Sequence, residues 1–208
     1  MKTSLYYVMD PMCGWCYGIS EVIGKIYDKY KEQMDFVILP GGMLIDQNIR
    51  TVTPEFAQFM QQNITQITKL TGQKFGANFE HNVLNHPATL DSLPGSKAIT
   101  LMLKLNPTQA LNYVKKVYHA FYVEGLDTNN WELYATLAEE FGITREDFKK
   151  AYCSPELETK TRAGFKQAQK LNVDTYPTII ALKNDQAHIL AKGYMPFAEL
   201  DELVSKYL

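Results

Sequence analysis

Apolar positions change their spacing twice near the start of the chain. Residues 4–9, Ser-Leu-Tyr-Tyr-Val-Met, are a compact run rich in strand-favouring side chains. The run stops at the turn pair Asp10-Pro11, so it predicts a short strand. After Cys13, the residues Ile19, Val22, Ile23, Ile26, Tyr27 and Tyr30 recur at three- and four-residue steps. That is the period of an amphipathic helix. Residues 35–42, "DFVILPGG", predict a second buried strand closed by Pro-Gly-Gly. Strand, helix and strand in this order form a βαβ unit, with parallel pairing and a right-handed crossover.

The pattern then turns helical. Thr53-Pro54 reads as a cap and first helical residue, with Phe56, Met60, Ile64 and Ile67 on one face and a stop near Gly72. Residues 73–94 show no period and predict irregular chain. From Ser96, the residues Ala98, Ile99, Met102 and Leu103 predict another helix, and Asn106-Pro107 starts the next, carrying Leu111, Val114, Val117, Tyr118 and Phe121. Trp131, Tyr134, Leu137, Ala138 and Phe141 follow, ended by Gly142. Thr144-x-x-Asp147 resembles a capping box, and Ser154-Pro155 opens a helix bearing Leu157, Phe165, Ala168 and Leu171.

The tail returns to strands. Residues 178–183 and 187–194 flank Asn184-Asp185-Gln186 as a hairpin, and Pro196 starts a last helix. The order is βαβ, about five helices, ββα. The expected class is α/β: a mixed four-stranded sheet carrying a large all-helical insertion. Residues 1–50 and 166–208 make the sheet domain, and residues 51–165 the insertion.

Composition adds exclusions. The chain has 208 residues, 46% hydrophobic and 21% charged, with a formal net charge of -2. Such a balance fits a packed globular core and offers no basic stripe for nucleic acid. The start, "MKTSLYYVMD", has too short an apolar run for a secretion signal, and no stretch approaches a membrane span. The expectation is a cytoplasmic protein with neither nucleic-acid nor membrane partners, as a monomer or homodimer.

Two of the three cysteines, Cys13 and Cys16, flank Gly14-Trp15. A structural zinc site takes four ligands, and neither Cys153 nor the histidines supply a matching half-site. A structural disulfide is out of place in a reducing compartment, and one spanning two residues gains little loop entropy. A redox pair fits, since Cys-x-x-Cys beside a βαβ pattern reads as thioredoxin-like. The first turn of a helix has unpaired N–H groups and a positive dipole end, which favour a thiolate. Thiols in such sites titrate at about 3.5–7.5 instead of about 8.5. Cys13, at the cap, is expected to be exposed and nucleophilic. Cys16, one turn in, is expected to be buried and to resolve the mixed disulfide. A strand at 178–183 running antiparallel to 4–9 would begin where the latter ends. That brings Pro177 against the pair, and a cis Tyr176-Pro177 bond would leave the Tyr176 backbone free to pair with substrate. An ordinary strand-start proline is the alternative.

Along nearly its whole length the chain resembles the DsbA family of the thioredoxin superfamily, and within it the cytoplasmic FrnE-like branch of candidate protein-disulfide isomerases. The resemblance is carried by "DPMCGWCYG", "LPGGM", "TPEF", "TGQKF", "DSLPGSKAI", "HAFYVEGLD" and "LNVDTYPTIIAL". It implies a thioredoxin fold with a helical insertion, and thiol–disulfide exchange with protein or small-molecule thiols and disulfides. It implies Cys13 as nucleophile, Cys16 as resolving thiol and Pro177 as cis-proline. No metal or organic cofactor is implied, with glutathione as a candidate co-substrate. Tyr176 departs from the smaller or less polar residue expected before that proline. Kappa-type glutathione transferases share the inserted fold but typically have serine at the position of Cys13. A glutathione-dependent transferase or isomerase and a chaperone-like binding module are the rival readings.

Trp15 reads as an aromatic platform for substrate. Met12 and Met43, with phenylalanines of the insertion, could line an apolar groove above Cys13. Cys153 reads as a small buried residue. His86 and His119 read as structural or surface residues, and Asp10 and Glu21 as loop and solvent-face residues.

Overall fold

The computed structural model describes residues 2–208. The strand β1 (Ser4–Met9) leads through a short turn into the helix α1 (Gly14–Tyr30), and the chain returns as β2 (Asp35–Pro40). β1 pairs parallel with β2. A short strand β3 (Arg50–Thr51) precedes α2 (Pro54–Thr71). The one-turn α3 (Ala77–Phe79) continues into a π-helical turn at Glu80–Leu84. The strand β4 (Thr89–Leu90) pairs with β3, and α4 (Ser92–Leu105), α5 (Ala110–Tyr122), α6 (Trp131–Glu139), α7 (Arg145–Tyr152) and α8 (Pro155–Lys170) follow. The tail is β5 (Thr178–Lys183), β6 (Gln186–Lys192) and α9 (Phe197–Ser205).

The main sheet has the order β2-β1-β5-β6, with β5 antiparallel to both β1 and β6. This is the mixed four-stranded sheet of a thioredoxin-like fold. β1 is central, and its alternation divides the core. Leu5, Tyr7 and Met9 point into the large cluster shared with α1 and the helical segment, while Val8 packs with Leu39, Ala168, Val173 and Ile180 on the other face. Burying both faces needs the near-continuous apolar run that residues 4–9 supply.

Three expectations change in detail. Residues 73–94 hold a π-helical turn and a strand, because a two-residue pairing and a single widened turn leave no period to read. The helix expected from Ser96 begins at Ser92, where the Asp91 carboxylate accepts the Leu93 N–H at 2.8 Å. Pro94 and Gly95 hide that start, although proline is tolerated in a first turn whose N–H groups have no helical partner. The middle of the chain has six helices of eight residues or more rather than about five. Residues 165 and 166 both lie inside the continuous α8.

Candidate active site

Cys13 is the N-cap of α1, with extended backbone at φ -96° and ψ 109°. Its Sγ accepts the Cys16 N–H at 3.3 Å, and its carbonyl accepts the Tyr17 N–H at 3.1 Å. The sulfur therefore occupies the place a serine or aspartate oxygen usually takes at a helix start. An anion there meets the positive end of the helix, with no acidic residue in the first turn to oppose it. Cys16 is fully buried. Burial pushes its thiol well above the ordinary range, and the neighbouring Cys13 adds to the shift. Both thiols are free.

The expected exposure of Cys13 is corrected: the residue is only 5% exposed. α2 packs on the thiol-bearing turn, its Ile67 so close that a Cβ on Gly14 would sit 3.2 Å from its Cδ1. On another side, Cys13 Sγ donates to the Tyr176 carbonyl at 3.4 Å. The Tyr176–Pro177 peptide bond is cis, and Pro177 is buried at the start of β5. The Tyr176 ring lies against Gly41, and its hydroxyl donates to the Gly41 carbonyl at 2.9 Å.

A cavity of about 510 Å³ opens beside the sulfur. Met12, Cys13, Trp15 and Tyr176 all line it, whereas Cys16 and Pro177 do not. Met43 and the phenylalanines Phe56, Phe59, Phe75 and Phe79 complete much of the wall. Trp15 is half-buried, its Nε1–H donating to Asn63 Oδ1 of α2 at 3.1 Å.

Asp10 is a loop residue between β1 and α1, as expected, but it faces the interior rather than solvent. It is 0% exposed. Its carboxylate accepts the Met12 N–H at 2.9 Å, the Met43 N–H at 2.7 Å and the Ser92 hydroxyl at 2.7 Å. Ser92 in turn accepts the Leu44 N–H at 3.0 Å. Asp10 thus ties the thiol-bearing turn to the loop after β2 and to the start of α4. Three donors satisfy a carboxylate that has left water, which explains how a charge can be buried here without a cation. Burial still dominates and raises its pKa from 3.8 to about 6.

Asn63, Arg50 and Tyr122 also line the cavity and were not singled out from the sequence. Asn63 had a signal, lying three residues after Met60 on the apolar face of α2. His86, His119 and Cys153 do not line it. Cys153 is exposed rather than buried, because it caps α7 at a turn before Ser154 caps α8. Glu21 is on the surface, paired with Lys115 at 3.1 Å. Among the described residues no group of three or more His, Cys, Asp or Glu could hold a metal ion, and no helix is long and apolar enough to cross a membrane.

A family model described as thioredoxin matches residues 6–202. The chain belongs to the thioredoxin family. Within this family it is similar to a candidate protein disulfide isomerase from Nitrosomonas europaea, at 25% identity and TM-score 0.90, covering 100% of this chain and 98% of that one. It is also similar to the cytosolic disulfide reductase DsbM from Pseudomonas aeruginosa, at 25% identity and TM-score 0.81, covering 98% of each chain. A structure of DsbM with GSH superimposes at TM-score 0.77 and 24% identity, again covering 98% of each chain. Curated proteins gave no match. This thioredoxin-family chain is a thiol–disulfide oxidoreductase of the DsbA type.

Proposed function

We propose that the protein reduces disulfides in the cytoplasm, with Cys13 as the attacking and Cys16 as the resolving thiol. The observation that carries this reading is Cys13 Sγ at the start of α1, accepting the Cys16 N–H at 3.3 Å on the wall of a cavity. The Cys13 thiolate attacks one sulfur of a substrate disulfide. A Cys13–substrate bond forms and the other half leaves as a thiolate. Cys16 then gives up its proton, attacks Cys13 Sγ and releases the second half. Two electrons pass from the pair to the substrate, and the pair ends as a disulfide.

Met12, Trp15 and Tyr176 contact the bound substrate from the cavity wall, and Pro177 holds the Tyr176 carbonyl beside the sulfur. Glutathione returns the pair to the dithiol, two molecules leaving as glutathione disulfide. The DsbM structure with GSH supports this choice of monothiol. A cytosolic glutathione poise of about -220 to -320 mV favours reduction of substrates.

The test is turnover of insulin and of hydroxyethyl disulfide with glutathione as electron source. Loss of both activities in Cys13→Ser is expected. Retained turnover in that variant, or in Cys13→Ser/Cys16→Ser, would sink the reading.

A further inference from the structure

Exchange chemistry alone needs only the sulfur and an open approach. Instead, the approach to Cys13 is a walled cavity. Its volume, about 510 Å³, lies in the range of small-ligand pockets, about 300–1,000 Å³. The α2 wall is Phe56, Met60, Ile64 and Ile67. The polar groups in this lining are few. Arg50 lies over the Phe56 ring, exposed, and makes no ion pair among the described residues. Asn63 is engaged by Trp15, and the Tyr176 hydroxyl by the Gly41 carbonyl.

We infer that this cavity selects a low-molecular-weight disulfide, one half of which carries an aromatic-sized apolar group and a carboxylate. The inference rests on the exchange reading above. The apolar group meets the α2 wall, and the carboxylate meets Arg50. Small size follows from Cys13 itself. At 5% exposure the sulfur is recessed, so a disulfide on a folded protein surface reaches it less readily than a free small molecule. The electron balance is the one given above: the bound half leaves as its thiol when Cys16 closes the protein disulfide.

Three probe disulfides test this with the reduced full-length protein. Dithiobis(nitrobenzoate) has the ring and the carboxylate; dithiodipyridine has a ring but no carboxylate; hydroxyethyl disulfide has neither. Each rate constant is divided by that of free dithiothreitol with the same probe, which removes intrinsic reactivity. The expected normalised preference for dithiobis(nitrobenzoate) over hydroxyethyl disulfide is about tenfold or more, the scale of burying one apolar side chain. Ile64→Asn lowers that preference by about tenfold, and Met60→Gln serves the same purpose should Ile64→Asn fail to fold. Arg50→Gln lowers the preference for dithiobis(nitrobenzoate) over dithiodipyridine about two- to fivefold.

A normalised preference near one in the wild-type protein overturns the inference, as does a preference that none of these substitutions moves. Either result leaves the exchange reading standing if Cys13→Ser has lost hydroxyethyl disulfide turnover. Turnover that survives Cys13→Ser removes the exchange reading itself.

Discussion

The Ser92 hydroxyl donates to Asp10 Oδ1 across 2.7 Å, joining the start of α4 to the turn that carries the thiols. The two residues are far apart in sequence, and neither is exposed. Since the same carboxylate also holds Met12 and Met43, one buried charge keeps two walls of the cavity in register with Cys13.

That arrangement sets a pH dependence. The Asp10 pKa is raised from 3.8 to about 6, chiefly by burial. A carboxyl whose folded pKa is raised contributes most to stability below its unfolded value of about 3.9, and the contribution is lost as pH climbs through about 6. With these two pKa values, ionised Asp10 costs the fold about 2 kcal/mol at pH 7 relative to pH 4. Asp10→Asn cannot ionise. The stability of the wild type minus that of Asp10→Asn should therefore fall by about 2 kcal/mol between pH 4 and pH 7. Urea unfolding of both proteins across this range measures it, and a difference that stays flat with pH would show that Asp10 does not titrate as described.

The two thiols should separate by pH and by mutation. Burial holds the Cys16 thiol well above the ordinary range, so little of it is thiolate near neutral pH. Resolution of the mixed disulfide should speed up about tenfold for each pH unit between pH 7 and 9. Cys16→Ala should stop after the first step and accumulate one substrate half on Cys13, visible as an added mass that dithiothreitol removes. A resolution rate independent of pH would mean that proton loss from Cys16 is not the slow event.

Much of this was legible in the sequence, and for identifiable reasons. β1, α1 and β2 each carry one uninterrupted period, and the caps at Thr53, Thr144 and Ser154 use side chains that bond the N–H groups named by their spacing. The pair Cys13 and Cys16 was visible because its spacing is local. Asp10 was not, since its partners Met43 and Ser92 come from other segments and nothing in "MDPM" reveals burial. The same holds for the burial of Cys13, since the packing of α2 on its turn, with Ile67 against Gly14, is not something the helical period assigns. Tertiary closure of the cavity by α2 is the step that local pattern leaves out.

That closure depends on a notch in α1. A Cβ on Gly18 would lie 2.8 Å from Ile67 Cγ2, closer than real contacts allow. Alanine raises helix propensity by about 1 kcal/mol, while the crowding costs about 1–3 kcal/mol, so Gly18→Ala should be neutral to destabilising by about 2 kcal/mol. Ile67→Ala should cost about 2–5 kcal/mol in the wild type, because it empties a buried site. In the Gly18→Ala background that cost should shrink by about 1 kcal/mol or more, since the clash goes with the side chain. Additive effects in a double-mutant cycle would show that α2 does not rest on this notch.

Gly41 makes the corresponding allowance for Tyr176. A Cβ at position 41 would fall 2.0 Å from the ring carbon Cε1 and 2.5 Å from the hydroxyl oxygen. The ring cannot stay, and moving it breaks the 2.9 Å hydrogen bond to the Gly41 carbonyl and shifts the main chain that borders Cys13 Sγ. Gly41→Ala should therefore lower kcat/KM for hydroxyethyl disulfide by about tenfold or more, the penalty of misplacing a group that borders the reacting atom. The nearest obstruction is a ring carbon, so removing the hydroxyl alone leaves the clash in place. Gly41→Ala/Tyr176→Phe should stay impaired, while Gly41→Ala/Tyr176→Ser, with no ring, should recover most of the loss relative to Tyr176→Ser alone. Equal rescue by phenylalanine and serine would mean that the hydrogen bond, rather than the close approach of ring and backbone, fixes Tyr176 beside the thiol.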